Sequence, residues 1–448
     1  MGDIRLDRLN TRMFEQVVAT GSLVLKTVGG DRKGEIAFNR FIDNDGVDFE
    51  MILAGHIERT RQAAAGCTVV VAQDTTEINF SGRAVRRTGL GPAGDGVSPG
   101  FFIHPQLVID AGTEAVLGLA GAEIWTRDAV KARPRRGREA GEKESQRWLT
   151  GAKIAAERLD TAARIVMVGD RESDIYAFMA RRPPRTELIL RAAQDRALAG
   201  GMTVKTVADS WPELARQTVT VAARRIGQPG GPKPARTAHV TIRAGRIEVL
   251  RPARTGNRSD KASLTLNLVA VSEVNPPPGI EPLCWWLLTT LPVETTAEAL
   301  EVVRLYRLRW RIEEVFRTLK TDGLDLEASQ VTTANRLFNL AALGLAASVR
   351  IIQLVDARDG SERPATDVID PASIAAATVI GRGLEGTTPR QKNPHPIGKL
   401  SWLSWIVARL GGWNCYYRPP GPKTIANGWR RFNGQLEGFH LAKAVQHV

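Results

Sequence analysis

The chain has 448 residues, 43% hydrophobic and 24% charged, an ordinary globular composition that excludes wholesale disorder and leaves room for two or three domains. Its 61 Lys and Arg against 48 Asp and Glu give a net charge of +13, with Arg prevailing over Lys, so the expected partner is a polyanion and the alternative is an Arg-rich surface without one. Cys67, Cys284 and Cys415 are isolated and odd in number, which excludes a disulfide framework and a cysteine metal site and points to a reducing cytoplasm; the amino terminus lacks an apolar signal core, and no apolar run reads as long enough to cross a bilayer.

Residues 1–62 mix short amphipathic segments with basic residues, as in Met13–Val18 and Phe49–Ala54, with a helix end and turn at Arg40–Val47. This reads as a small helical unit that binds DNA, or as a packing cap on the next domain. The β-branched run Cys67–Ala72 reads as a strand buried on both faces and ends in Gln73-Asp74-Thr75-Thr76. A carboxylate where a buried strand emerges is costly unless paired or bound to a cation. For Asp74 a simple turn or cap role is the alternative. Phe101–Ile109 and Glu114–Thr126 read as a strand pair turning at Asp110–Thr113, and the basic segment Arg127–Lys143 is expected near phosphate. Glu144–Leu159 has a helical pattern. Arg164–Gly169 is a second buried strand, again ending in an acid, Asp170, with Asp174 placed to cap a helix over Ile175–Ala180; Leu188–Arg191 supplies a further strand.

Between about residues 199 and 283 the pattern turns to antiparallel strands, at Thr218–Val221, His239–Ile242 and Leu264–Val271, interrupted by a Gly-, Pro- and Arg-rich loop at Gly227–Arg236. Cys284–Thr290 returns as an apolar strand. Leu305–Lys320 contains no Pro or Gly and follows an acidic entry at Glu294 and Glu298, so its spacing predicts one helix. At about 100° per residue, Tyr306, Arg309, Glu313 and Lys320 fall within roughly 60° of one another, beside an apolar stripe of Leu305, Leu308, Ile312, Phe316 and Leu319. The plain alternative is an amphipathic helix with ion pairs such as Arg309 with Glu313. Ala334–Ala357 is expected as a long helix buried on most of its circumference, residues 358–400 as loop-rich, and the aromatic tail from Trp402 to Phe439 as packing on the domain or forming a subunit interface.

Two acids thus stand at the ends of buried strands, and a third, Glu313, stands on a helix after a β-rich insertion. Three carboxylates forced together raise one another's pKa unless divalent cations neutralise them, and hard oxygen donors favour Mg2+ or Mn2+. Two such ions suit phosphoryl transfer. Arg309 and Lys320 cannot ligate a metal but can hold a phosphate beside Glu313, and Tyr306 can donate a hydrogen bond to it.

At this point the spacing Tyr306-x2-Arg309-x3-Glu313-x6-Lys320 resembles the Tyr-Arg-Glu-Lys signature of bacterial DDE transposases of the insertion-sequence-four family, and Asp74 in Gln-Asp-Thr-Thr and Asp170 in Gly-Asp-Arg-Glu-Ser-Asp-Ile resemble the contexts of that family's two aspartates. The resemblance spans nearly the whole chain, from Gly2-Asp3 through Arg40-Phe41-Ile42 to the aromatic tail. It implies an α/β, ribonuclease-H-like catalytic domain over residues 63–330 with an antiparallel β insertion at about 199–283. It also implies a helical DNA-binding region over 1–62 and a helical dimerisation region over 331–448. By residue, it implies Asp74, Asp170 and Glu313 as catalytic metal ligands and Tyr306, Arg309 and Lys320 on the DNA end. It further implies Trp285 as a stack for a flipped base and Arg191 as a DNA contact. A core aromatic of the strand is the alternative for Trp285, and Glu314 is the decoy for Glu313. Family members usually carry a further short helical segment ahead of the Gly-Asp that here follows Met1, so a late start is expected.

The implied activity is cut-and-paste transposition by a homodimer on double-stranded DNA, at transposon-end inverted repeats and at target DNA, with Mg2+ as cofactor and Mn2+ as its substitute. A catalytically silent DNA-binding derivative that inhibits a full-length enzyme, and a plain metal-dependent nuclease, are the rivals. No nucleotide cofactor motif and no membrane association are expected.

Overall fold

The computed structural model describes residues 3–81, 86–127, 146–221, 234–253, 257–320 and 324–445. The basic segment expected near phosphate falls almost wholly outside them, as does most of the Gly-Pro-rich loop. Two compact units share the chain: one combines Met1–Gly66, Thr75–Arg135 and Trp310–Val448, the other Cys67–Asp74 and Arg136–Arg309.

The second unit is built on a mixed sheet. Strands β1 (Thr68–Gln73), β6 (Arg164–Gly169) and β7 (Thr186–Arg191) run parallel. Beyond β7 the sheet continues antiparallel through β11 (Cys284–Thr289), β10 (Ser263–Glu273), β9 (Arg236–Leu250) and β8 (Ala215–Val221). The alternating segments between residues 199 and 283 therefore extend the same sheet. Val69, Val70, Val71 and Ala72 are fully buried, as are Val166 and Met167, which is why these strands read as unbroken apolar runs. Helices α5 (Gln146–Arg158), α6 (Tyr176–Ala180), α7 (Val204–Ser210) and α8 (Thr296–Arg307) complete the unit. Thr295 caps α8 in a reciprocal box with Glu298, whose carboxylate accepts from the Thr295 N–H at 2.9 Å.

The first unit opens with α1 (Ile4–Thr20), α2 (Leu25–Gly29), α3 (Arg32–Ile42) and α4 (Phe49–Ala63). Its strands are β2 (Thr76–Asn79), β3 (Gly91–Pro92), β4 (Pro99–Asp110) and β5 (Val116–Trp125), with β4 pairing antiparallel to the other three. It closes with α9 (Trp310–Lys320), α10 (Ala334–Ala357), α11 (Ile374–Leu384), α12 (Leu400–Leu410) and α13 (Pro422–Val445). The 358–400 stretch thus holds a helix, α11, where only loops were expected. The tail aromatics Trp402, Trp405, Trp429 and Phe432 are buried within this unit.

Helix α10 corrects one expectation. It is long and apolar enough, by length and composition, to cross a membrane, with a mean hydropathy of 1.7. Yet 94% of that window is buried inside the protein, where it serves as the unit's central core helix. Its buried uncharged polar residues are matched to protein groups: Asn339 Nδ2 donates to the carbonyls of Ile42 and Val47 at 3.1 and 3.0 Å, Ser348 to Gly344 at 2.9 Å, and Gln353 to Leu117 at 2.8 Å. Buried polar groups satisfied in this way cost little.

Candidate active site

In the second unit, the parallel register pairs Thr68 with Arg164 and runs on to Ala72 with Val168. Asp74 and Asp170 each follow their strand's last residue, so the two acids leave neighbouring strands at the same level. Adjacent strands lie about 4.8 Å apart. Asp170 caps a short 3-10 turn, its Oδ1 accepting from the Glu172 N–H at 2.9 Å. Asp74 Oδ2 accepts from Arg309 Nη1 at 2.9 Å, and both side chains are largely enclosed, 18% and 7% exposed.

The single helix expected over Leu305–Lys320 is two helices. Helix α8 ends at Arg307 and α9 starts at Trp310, and at the interruption the Leu308 and Arg309 N–H groups bond three residues back, to Leu305 and Tyr306, both at 3.1 Å. A tightened turn of this kind breaks the α-helical phase where Arg309 turns onto Asp74. The angular projection from one continuous helix therefore fails across Leu308-Arg309. The apolar stripe is nonetheless real, since Leu305, Leu308, Ile312, Phe316 and Leu319 are all buried.

Tyr306 is 2% exposed and meets Trp285 edge-on, with ring centroids 5.4 Å apart. Burial raises its phenol above the usual range, opposed by the guanidiniums of Arg309 and Arg191, so it stays protonated as a donor. Arg191 donates to the Cys284 carbonyl at 2.9 Å, and burial lowers its pKa. Trp285 is itself 3% exposed, pointing into the core; Trp286, on the opposite face of β11, is half-buried beneath Lys205 Nζ, 5.0 Å from its ring centroid. Asp174 does not cap a helix. Its carboxylate accepts from the Ala193 and Gln194 N–H groups and from Arg196 Nε at 2.6 Å, a fully buried ion pair that no spacing in the sequence signals.

Glu313 and Lys320 belong to the first unit. Glu313 lies in the first turn of α9 and is half-buried. Lys320 lies in its last turn, where burial lowers the amine's pKa against the pull of Glu327 and Glu77. Glu314 pairs with Arg311 at 3.1 Å, and the same guanidinium reaches Asp356 at 2.9 Å.

Asp74 and Asp170 supply hard oxygen donors of the type Mg2+ or Mn2+ takes. Arg309 is paired with Asp74 here, so an ion at these acids would have to displace that guanidinium, and among the described residues no group of three or more His, Cys, Asp or Glu side chains is gathered.

An α/β unit with paired strand-end aspartates, a buried phenol and buried guanidiniums is what the geometry defines. Residues 157–350 match the family model of the transposase DDE domain. The matched segment holds Asp170, Arg191, Trp285, Tyr306, Arg309, Glu313 and Lys320, and Asp74 lies ahead of it. The match supports a DDE transposase, a class of metal-dependent, DNA-cleaving enzymes.

Proposed function

We propose that this protein is a cut-and-paste DNA transposase of the insertion-sequence-four type, with a ribonuclease-H-like catalytic domain. The observation that carries the reading is the pair Asp74 and Asp170 at one level on adjacent parallel strands, inside a chain whose segment 157–350 matches a transposase DDE domain. Asp74, Asp170 and Glu313 would hold a divalent ion, Mg2+ or Mn2+, which when bound neutralises the acids and the scissile phosphate. Binding it requires Arg309 to leave Asp74. That guanidinium then becomes available to a DNA phosphate, with Lys320 as a second cation and Tyr306 as a neutral donor. Arg191 acts beside Tyr306 by its charge.

In the reaction, water opens one strand at the element's end and frees a 3′ hydroxyl. That hydroxyl attacks the opposite strand to give a hairpin, a second water reopens it, and the 3′ ends attack target DNA. Paired ends require a homodimer. The net charge of +13 favours such a polyanionic partner.

The test is strand transfer. A precleaved duplex carrying the element's terminal inverted repeat and a free 3′ hydroxyl should join to a supercoiled plasmid in Mg2+. Nicking of generic duplex without joining would favour a plain nuclease, and binding without any product a silent derivative.

A further inference from the structure

Within the first unit a cavity of about 290 Å3 lies between α4, α10, β5 and the segment 363–367. Its walls are fixed. Thr60 Oγ1 donates to the His56 carbonyl at 2.9 Å and accepts from the Leu119 N–H at 3.1 Å. Gly118, at a φ of 150°, lets the strand approach so closely that a Cβ there would sit 2.0 Å from Thr60 Oγ1. Gln353 ties α10 to the Leu117 carbonyl. None of these groups meets the charge that lines the space.

That charge is strongly one-sided. Arg59, Arg350 and Arg363 line the cavity, with Asp367 as the carboxylate among its lining residues. Asp367 is taken by Arg363, Nε to Oδ2 at 2.8 Å. Among the described residues Arg59 donates only to the Gly55 carbonyl of its own helix. Arg350, 6% exposed, donates to the Val368 carbonyl and lies over the Phe14 ring, 5.6 Å from its centroid; no carboxylate is within ion-pairing distance of it among the described residues. Burying an uncompensated guanidinium costs several kcal/mol. Burial, reinforced by Arg59 and Arg363, pushes Arg350 down to about 9, and burial followed by Arg350 and Arg59 pushes His56 down to about 3, so the imidazole is neutral and adds no charge. Glu15 acts on both Arg59 and Arg350 through its charge, and Asp367 on Arg350, but among the described residues neither guanidinium forms a direct ion pair, and the two flank a space large enough for a tetrahedral oxyanion bearing a small organic group.

We infer that this cavity is a binding site for a small phosphate dianion, inorganic phosphate or a phosphomonoester, held by Arg59 and Arg350 with Arg363 and Gln353 at its edge. Two positive charges match a dianion, and guanidiniums present paired N–H donors to phosphate oxygens. The site is independent of Asp74 and Asp170, so its failure and that of the transposase reading are separable.

The experiment is a thermal-shift titration of the full chain with sodium phosphate against sodium chloride at matched ionic strength, followed by calorimetric titration with phosphate. The wild type should be stabilised by millimolar phosphate and not by chloride. Arg59→Gln, a change at an exposed side chain, should weaken the apparent Kd by about tenfold or more. Arg350→Met should abolish the shift while melting no lower than wild type in phosphate-free buffer, because it removes an uncompensated buried charge. Should Arg350→Met fail to fold, Arg59→Gln decides alone. An equal phosphate shift in wild type and Arg59→Gln, or none in the wild type, overturns the site. Stabilisation by a short DNA duplex but not by phosphate, lost in Arg59→Gln, would also overturn it by assigning the cations to DNA.

Discussion

The Arg309–Asp74 pair fixes one wall of the proposed site, and its strength can be worked from the structure. At 2.9 Å and an effective dielectric constant of about 20, the gross attraction is about 6 kcal/mol. Desolvation of two enclosed groups offsets much of it, and removing one partner of a buried pair costs about 3–5 kcal/mol. Asp74 keeps 18% of its side-chain exposure, which places Arg309→Met near the lower end, about 3 kcal/mol. Arg309→Lys should retain the charge but not the planar fork, and cost less. The assay is urea unfolding followed by tryptophan fluorescence on wild type, Arg309→Met, Asp74→Asn and the double variant. A coupling energy of about 1–3 kcal/mol is expected. Additivity within about 0.5 kcal/mol would refute the pairing and, with it, the idea that Arg309 must move before the acids can take a cation.

Burial raises Asp356 from 3.8 to about 6, so between those values the native state holds a proton that the unfolded chain has lost. Its contribution to stability is complete below the unfolded pKa and is lost as pH rises through the folded one; wild type should lose about 2 kcal/mol between pH 4 and 7 that Asp356→Asn keeps, as read by urea unfolding at both pH values. Trp285→Ala should destabilise by about 3–5 kcal/mol and Trp286→Ala by less; equal loss of nicking and hairpin formation in Trp285→Ala would favour a core role, and a selective hairpin defect would support the base-stacking role. Glu313→Gln should abolish cleavage while gel shifts persist. Glu314→Gln, which breaks only the partly exposed pair with Arg311, should change stability by less than about 1 kcal/mol and leave cleavage near normal.

The buried strands were legible because parallel strands covered on both faces are written as unbroken apolar runs. Thr68–Gln73 and Arg164–Gly169 end within a residue of where the sequence placed them, and the acids after them stood out for the same reason. Helix α10 was legible from its lack of charge, with its bounds at Ala334 and Ala357. The break at Leu308-Arg309 was not: no Gly or Pro marks it, and what accompanies it is a tertiary ion pair to a residue far back in the chain, which helical periodicity cannot encode. Asp174 reads locally as a cap because Asp is a good one. Arg196, arriving from beyond β7, competes for it and wins. The gathering of Arg59, Arg350 and Arg363 around one cavity was equally hidden, since the three come from separate segments of the chain.

The account stands or falls on Mg2+-dependent cleavage of a labelled duplex bearing the element's terminal inverted repeat, with Asp74→Asn, Asp170→Asn and Glu313→Gln measured beside the wild type. The account predicts nicked and hairpin products from the wild type, none from any of the three variants, and retained gel shifts throughout. Unchanged product from Asp74→Asn or Asp170→Asn in Mg2+ would contradict it, because the strand-end acids would then have no part in the chemistry.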